Sequence, residues 1–259
     1  MSNLKARLKN GESVTGTMIT MVEHPDIAKI VKVSGFDYMV IDNEHGTFDY
    51  STVARICSVA KVIDMPTIIR IPEPRREMVL KYMDMGADGV MLPNCENAEM
   101  AKLVVEFAKY APMGKRGVSM LRGHAGYATP PSVPEYMREA NEQTVIMCQI
   151  ESPAGVDNSG VILDVDGVDA CFIGPNDLSQ SYGLIGQITH PTVTGAIEKV
   201  IEAASARGKF SGIHLSGSPD ALKPWMEKGM KMNLWSNDIA LMMSSAREGL
   251  AKLRGCAVK

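Results

Sequence analysis

Residues Phe36–Phe48 read FDYMVIDNEHGTF, a mainly apolar run that ends abruptly in three ionisable side chains, Asp42, Glu44 and His45, just before a glycine. The run has the composition of a buried strand. Similar β-rich runs recur along the chain as VTGTMITM, PTIIRI, GVMLP, TVIMCQIE, DACFIGP, FSGIHLS and MNLWS. Between them lie segments of helical period, among them IAKIVKVSG, MVLKYMDMG, EMAKLVVEFAKY, AIEKVIEAASARG and ALKPWMEKG, several closed by a glycine. Eight such units in 259 residues predict an α/β fold, a (β/α)8 TIM barrel, better than a doubly wound sheet. No GxGxxG or GxxxxGK[ST] loop points to a nucleotide fold. No linker or low-complexity stretch divides the chain, so residues 1–259 read as one barrel domain. The longest connection, from Ala111 to about Glu142, is rich in Pro, Gly and Arg, and such a loop is expected to be functional.

Composition narrows the partners. With 45% hydrophobic residues the chain can bury one large core. Its 27 basic and 30 acidic residues give a net charge of −3 without long runs of either sign, which argues against nucleic acid or an anionic membrane as the main partner. The five cysteines, Cys57, Cys95, Cys148, Cys171 and Cys256, form no CxxC pair and read as small core residues of a reducing compartment. The start, MSNLKARLKNGESV, is polar, and no later stretch stays apolar for the roughly twenty residues a span needs. A soluble cytoplasmic protein is the expectation. The 19 methionines, at helical and strand spacing, read as core filler.

In such a barrel the active site lies at the C-terminal ends of the strands, where Asp42, Glu44 and His45 would sit. Arg70, inside the apolar run IIRIPEP, is costly to bury unless its guanidinium meets an anion, either a ligand or a structural carboxylate in the mouth. In MCQIESP, Gln149 and Glu151 share a face because strand side chains alternate, and Ser152 and Pro153 look like an N-cap and first helical residue. In FIGPNDLS, Gly174 and Pro175 give a tight turn with Asp177 just beyond. Carboxylates from neighbouring strands repel each other in one mouth unless neutralised. A divalent cation held by Glu151 and Asp177, with waters and substrate oxygens, resolves this and suits Mg²⁺ or Mn²⁺; the alternative for Asp177 is a structural cap on the next helix. His45, with Asp42 three residues before it, could be oriented and kept basic by that carboxylate, as a general base near neutral pH requires; alone it would be a surface histidine.

The motifs IDNEHGTFDY, IIRIPEP, MLPNCENAEMAK, YAPMGKRGV, QIESPAGVDN and GVDACFIGPNDLSQSYGLIGQITHP resemble, in order and spacing, the HpcH/HpaI aldolases, from about Gly16 to the last helix. The resemblance implies a class II pyruvate aldolase that uses Mg²⁺, Mn²⁺ or Co²⁺ to cleave 4-hydroxy-2-oxo acids to pyruvate and an aldehyde. It also implies a homohexamer, a trimer of dimers that exchange their last helix. Carried over, Glu151 and Asp177 would hold the metal, Arg70 would contact the pyruvyl oxygens, and His45 with Asp42 would form the catalytic dyad. Gln149, Gly174, Pro175 and Asn176 would line the pyruvate site. Where the family commonly has an aliphatic residue against the aldehyde, SGIHLSGS places His214 or Leu215, and the first strand has Met18 near the position of a frequent tryptophan.

Alternatives stay open at this stage. An oxaloacetate decarboxylase or a citramalyl- or malyl-CoA lyase would use the same enolate machinery, although no basic patch for CoA is evident. A barrel that only binds an oxo acid would be expected to have a broken dyad or metal pair, and Asp42, His45, Arg70, Glu151 and Asp177 are all present. Glu44 reads either as support for the metal or dyad or as a rim carboxylate. In LRGHAGY, Arg122 and His124 either sit in a solvated loop or reach an acidic substrate tail, across a subunit boundary. The amphipathic stretch IALMMSSAREGLAKLRG, with Leu241, Met242, Leu250 and Leu253, would close the barrel of a monomer or cross to a partner.

Overall fold

The computed structural model describes residues 4–255, so Cys256 lies outside the described residues. The elements run α1 (Leu4–Lys9), β1 (Val14–Ile19), α2 (Ile27–Val33), β2 (Tyr38–Asp42), α3 (Tyr50–Val62), β3 (Thr67–Arg70), α4 (Arg76–Met85), β4 (Gly89–Leu92), α5 (Ala98–Ala108), α6 (Val133–Gln143), β5 (Val145–Ile150), α7 (Pro153–Asp157), α8 (Ser159–Leu163), β6 (Ala170–Ile173), α9 (Pro175–Ser181), α10 (Pro191–Ser205), β7 (Phe210–Leu215), α11 (Lys223–Glu227), β8 (Met232–Asn237) and α12 (Asp238–Gly255). The strands close into a barrel in chain order, β8 pairing with β1, and every pair is parallel. All the strand runs read from the sequence are strands. The protein is a (β/α)8 barrel. Among the described residues no helix is long and apolar enough to cross a membrane.

Two separate apolar layers follow from the two-residue alternation of the strands. One set of alternate residues, including Val14, Met18, Tyr38, Val40, Ile68, Met91, Met147, Phe172 and Leu234, packs in a cluster of its own inside the barrel. The other set, including Ile41, Ile69, Leu92, Cys148, Ile173 and Ile213, packs against the helices. The four described cysteines are buried free thiols, as read from their apolar settings.

The polar N-terminal segment contributes more than its composition suggests. In α1, Leu4 and Leu8 are buried and belong to the interior cluster, so this short helix closes the floor of the barrel. Lys5 fastens it to Asp169 at 2.5 Å, and Arg7 to Asp37 at 2.8 Å. The long connection also carries structure, a 3₁₀ turn at Gly123–Ala125 and then α6, whose N-cap Ser132 and following Val133–Pro134 are ordinary helix-start chemistry.

A short device recurs beneath β2, β4 and β6. A glycine with positive φ (Gly35, +93°; Gly86, +104°; Gly167, +93°) turns the chain out of the preceding segment, and two residues later an aspartate reaches across to a neighbouring strand. Asp37 accepts from the Thr15 amide at 2.8 Å, Asp88 from Thr67 at 2.9 Å, and Asp169 from Ile146 at 2.9 Å. Each carboxylate thus caps the first amides of the strand before it. Beneath β8 the glycine recurs as Gly229, φ +101°, but Lys231 stands where the aspartate would be.

The floor helix yields a stability prediction. Leu8→Ala should lower unfolding stability by about 2–5 kcal/mol in chemical denaturation, the usual loss for a buried leucine. A loss near zero would mean that α1 does not seal the core.

Candidate active site

The inward register that fills the barrel with apolar side chains continues at the C-terminal ends with polar ones. Asp42 follows Val40 on β2, Arg70 follows Ile68 on β3, and Gln149 follows Met147 on β5, with Glu151 next on the same face. Gly174 follows Phe172 and His214 follows Gly212 in the same way. β2 and β3 pair Asp42 with Arg70 directly. The alternation therefore delivers these groups to one mouth. It also separates His214 from its neighbour: Leu215 points outward into the layer against the helices, so of the two residues considered for the aldehyde side only His214 faces the mouth.

Arg70 is buried, and its guanidinium is held from two sides. Nε donates to Asp42 Oδ1 at 2.9 Å and Nη2 to Asp42 Oδ2 at 2.7 Å, a bidentate fork, while Nη1 lies 3.0 Å from Glu44 Oε2 and Nη2 lies 3.7 Å from Met18 Sδ. Burial works against this charge, but Asp42 and then Glu44 outweigh it and raise the Arg70 pKa. The anions expected for Arg70 are thus carboxylates of the chain itself.

Asp42 Oδ1 also accepts from the backbone amides of Glu44 at 3.1 Å and His45 at 3.2 Å. The carboxylate therefore orders the turn that carries His45 but makes no hydrogen bond to the imidazole, the contact that the three-residue spacing had suggested. His45 itself is exposed at the rim.

Across the mouth, Glu151 is buried, 2% exposed. Its Oε1 accepts from Gln149 Nε2, and its Oε2 from the backbone amide of Asn94 at 3.1 Å. Burial, with the charges of Asp177 and Glu44 adding to it, pushes the Glu151 pKa up to about 7. Glu44 is raised as well, chiefly by burial. Asp177 stands exposed in the first turn of α9, close enough to act on both carboxyls. Pro175 is buried behind it and Asn176 is exposed. Among the described residues no three His, Cys, Asp or Glu side chains converge as a metal centre. The buried Glu151 carboxylate, its pKa raised, with Asp177 at the rim and Gln149 Oε1 buried and unpartnered beside it, nevertheless fits a hard divalent ion whose remaining positions go to water and substrate.

Two backbone features complete the site, and of these the Asn94 amide was missed in the sequence. Asn94, φ +47°, turns its amide onto Glu151; an asparagine after Pro93 is a residue that tolerates this conformation, which is the one signal available. Gly174 is needed for space, because a Cβ there would lie 2.0 Å from Glu151 Oε1 and 2.8 Å from Gln149 Nε2.

Arg122 and His124 lie elsewhere. His124 Nδ1 meets Tyr136 OH at 2.5 Å and Nε2 meets Ser119 O at 2.9 Å, with Asp84 Oδ1 at 3.7 Å near the end of α4, so this turn packs by the N-terminal ends of the strands. Arg122 reaches only the Leu121 carbonyl, at 3.1 Å, among the described residues. Within one subunit neither approaches the mouth.

Sequence comparison identifies the kind of enzyme that owns this mouth. The chain is a carbon–carbon lyase of the aldolase type. It belongs to the HpcH/HpaI aldolase/citrate lyase family, whose pattern matches residues 18–243. It is 33% identical over 253 residues to the hydroxypyruvate/pyruvate aldolase of Roseobacter denitrificans, covering 97% of each chain. To the 5-keto-4-deoxy-D-glucarate aldolase of an Enterobacter species it is 33% identical over 224 residues, 86% of each. The crystal structure of an HpcH/HpaI aldolase from Desulfitobacterium hafniense superposes with a TM-score of 0.93 at 36% identity, covering 97% of this chain and 96% of that one.

Gly174→Ala tests the cradle. If Glu151 holds a divalent ion, the variant should fold with the wild-type circular dichroism spectrum yet bind Mn²⁺ at least about tenfold more weakly by titration, since the new methyl would displace the Glu151 carboxylate and even a disturbed partner of a ligand costs about 10–100-fold in metal affinity. Unchanged Mn²⁺ affinity would exclude Glu151 as a ligand.

Proposed function

We propose that the protein is a metal-dependent pyruvate aldolase that reversibly cleaves 4-hydroxy-2-oxo acids to pyruvate and an aldehyde. The observation that carries this reading is the buried Glu151 carboxylate, its pKa raised by burial and by Asp177 and Glu44, opposite a guanidinium fixed by Asp42. Glu151 and Asp177 are the residues that would hold a divalent ion. Such an ion would supply Lewis-acid stabilisation for the charge that develops on the substrate's 2-oxo oxygen.

The chain's own groups would do the rest. Arg70, held in place by the Asp42 fork, places a fixed positive charge beside the developing enolate, and Gln149 lines the same pocket. His45, at the rim, takes the proton of the 4-hydroxyl directly or through water. The electrons of the O–H bond then form the aldehyde carbonyl, those of the C3–C4 bond pass into the enolate, and protonation at C3 gives pyruvate. Addition runs these steps in reverse. Asp42 acts as a positioning residue for both His45 and Arg70, through backbone amides on one side and the guanidinium on the other. Gly174, Pro175 and Asn176 would form the wall beside the pyruvyl group.

The assembly belongs to the same proposal. Helix α12 has no buried residue although Met242, Met243, Leu250 and Leu253 lie along it, all exposed. This supports a homo-oligomer in which α12 packs on a second copy, a trimer of dimers as in the expected hexamer. The buried free thiols support a reducing, cytoplasmic setting.

Pyruvate release from a panel of 4-hydroxy-2-oxo acids, with oxaloacetate alongside, tests the reading. Enzyme stripped with EDTA should be inactive and should recover with Mg²⁺, Mn²⁺ or Co²⁺. Glu151→Ala and Asp177→Ala should abolish recovery, and His45→Ala should slow cleavage by about 10²–10⁴-fold. No pyruvate from any hydroxy-oxo acid with any metal would refute the aldolase reading, and release from oxaloacetate alone would replace it with decarboxylation.

A further inference from the structure

The side of the mouth formed by β7 and β8 differs chemically from the rest. Elsewhere the rim is acidic, with Asp42, Glu44, Glu151 and Asp177. On β7 stands His214, half-buried, in the inward register and near enough to Arg70 and Asp42 to feel both charges.

The ring of His214 is fixed by the backbone opposite. Its Nε2 lies 3.1 Å from the Ser236 carbonyl, which can only accept, so Nε2 carries the proton. Ser236 has φ +60°, and the β1–β8 register slips at this level, so that Met18 pairs with Asn237 rather than continuing from Gly16 opposite Leu234. A bulge of this sort re-aims a carbonyl or a side chain at a barrel rim. Burial, with Arg70 nearby, holds the His214 pKa below its ordinary value and so favours the neutral ring. The second nitrogen, Nδ1, makes no hydrogen bond to the described residues and is not among their buried unpartnered atoms. On a side chain in the inward register, it is left as an acceptor with no donor among the described residues.

We infer that His214 selects aldehydes carrying a hydroxyl group, its Nδ1 accepting a hydrogen bond from that hydroxyl while Nε2 remains tied to Ser236. This rests on the aldolase reading and deepens it by naming the class of the second product. A hydroxyl brings the missing donor. An alkyl group in the same place leaves the acceptor dry and unpaired, and a site built to hydrogen-bond a hydroxyl rejects the analogue that lacks it. The cleaved substrates are then 4-hydroxy-2-oxo acids with a further hydroxyl next to the aldehyde-forming carbon, as in acids derived from sugars.

The test compares aldehydes in the addition direction, with pyruvate, Mg²⁺ and equal concentrations of glycolaldehyde or propionaldehyde. Wild-type kcat/KM should favour glycolaldehyde over propionaldehyde by about tenfold or more. In His214→Leu the ratio for glycolaldehyde over propionaldehyde should fall to near one. In His214→Gln, which can donate to Ser236 O and still present an oxygen, part of the preference should return. Because each figure is a ratio within one protein, a general loss of activity leaves it readable. Proton exchange at C3 of pyruvate, followed by NMR in the wild-type enzyme without aldehyde, separates the two readings. Exchange together with an unselective wild-type ratio, or with a ratio untouched by His214→Leu, overturns the His214 assignment alone; absence of exchange overturns the aldolase reading and this inference with it.

Discussion

One buried cation among four carboxylates organises the mouth of this barrel. Arg70 is the only arginine or lysine that the strand ends bring among Asp42, Glu44, Glu151 and Asp177 in the described residues, and its charge is not shared equally. Both Asp42 oxygens are engaged by the guanidinium, and Oδ1 also by two backbone amides; Glu44 takes the remaining edge. Glu151, whose raised pKa Arg70 lowers only as the last of several influences, is left with one amide and one side-chain donor. The mouth thus divides into a half whose charge the protein balances itself and a half whose charge calls for an external cation. Removing a partner from the balanced half would strand a buried charge, which is why that half is expected to be rigid.

That division also explains which parts of the site could be read from the sequence. The strands were legible because each is a short apolar run, and period-two alternation from any inward residue reaches Arg70, Gln149 and Glu151 without further information. The choice between His214 and Leu215 was a question of one residue in register, and only the packing of Gly212 and Phe172 inside the barrel settles it. The spacing of Asp42 and His45 could not reveal that the intervening turn points two amides, not the imidazole, at the carboxylate. Backbone groups leave no trace in composition, so the Asn94 amide and the Ser236 carbonyl were invisible.

Segment length bears on two further elements. Leu4 and Leu8, four residues apart in a polar stretch, are too few to announce a helix, and α1 holds its place by sealing the interior and by ion pairs to Asp37 and Asp169. The Ala111–Glu142 connection looked like a functional loop because its length and its Pro and Gly content fit one. Within one subunit its turn packs against the end of α4 through Arg116, His124 and Asp84, with Arg116 at 2.9 Å from Asp84 Oδ1. Tertiary contacts override local composition in both cases.

The acids at the two ends of the barrel show how position alone separates stability from chemistry. At the N-terminal ends Asp37, Asp88 and Asp169 each spend an oxygen on the amide of a neighbouring strand, with a basic partner, Arg7, Lys61 or Lys5, on the other oxygen. Nothing in that arrangement is left for a ligand. At the C-terminal ends the amides of a parallel strand are already used, since each strand's first amides face the floor and its last carbonyls face the mouth. Carboxylates there find few backbone donors, and those they do find come from turns with unusual geometry, such as Asn94 or the Glu44–His45 step. The proposed role of Glu151 and Asp177 in holding a cation follows from the same contrast with Asp88 and Asp169: strand direction supplies hydrogen-bond donors at one end of the barrel and acceptors at the other.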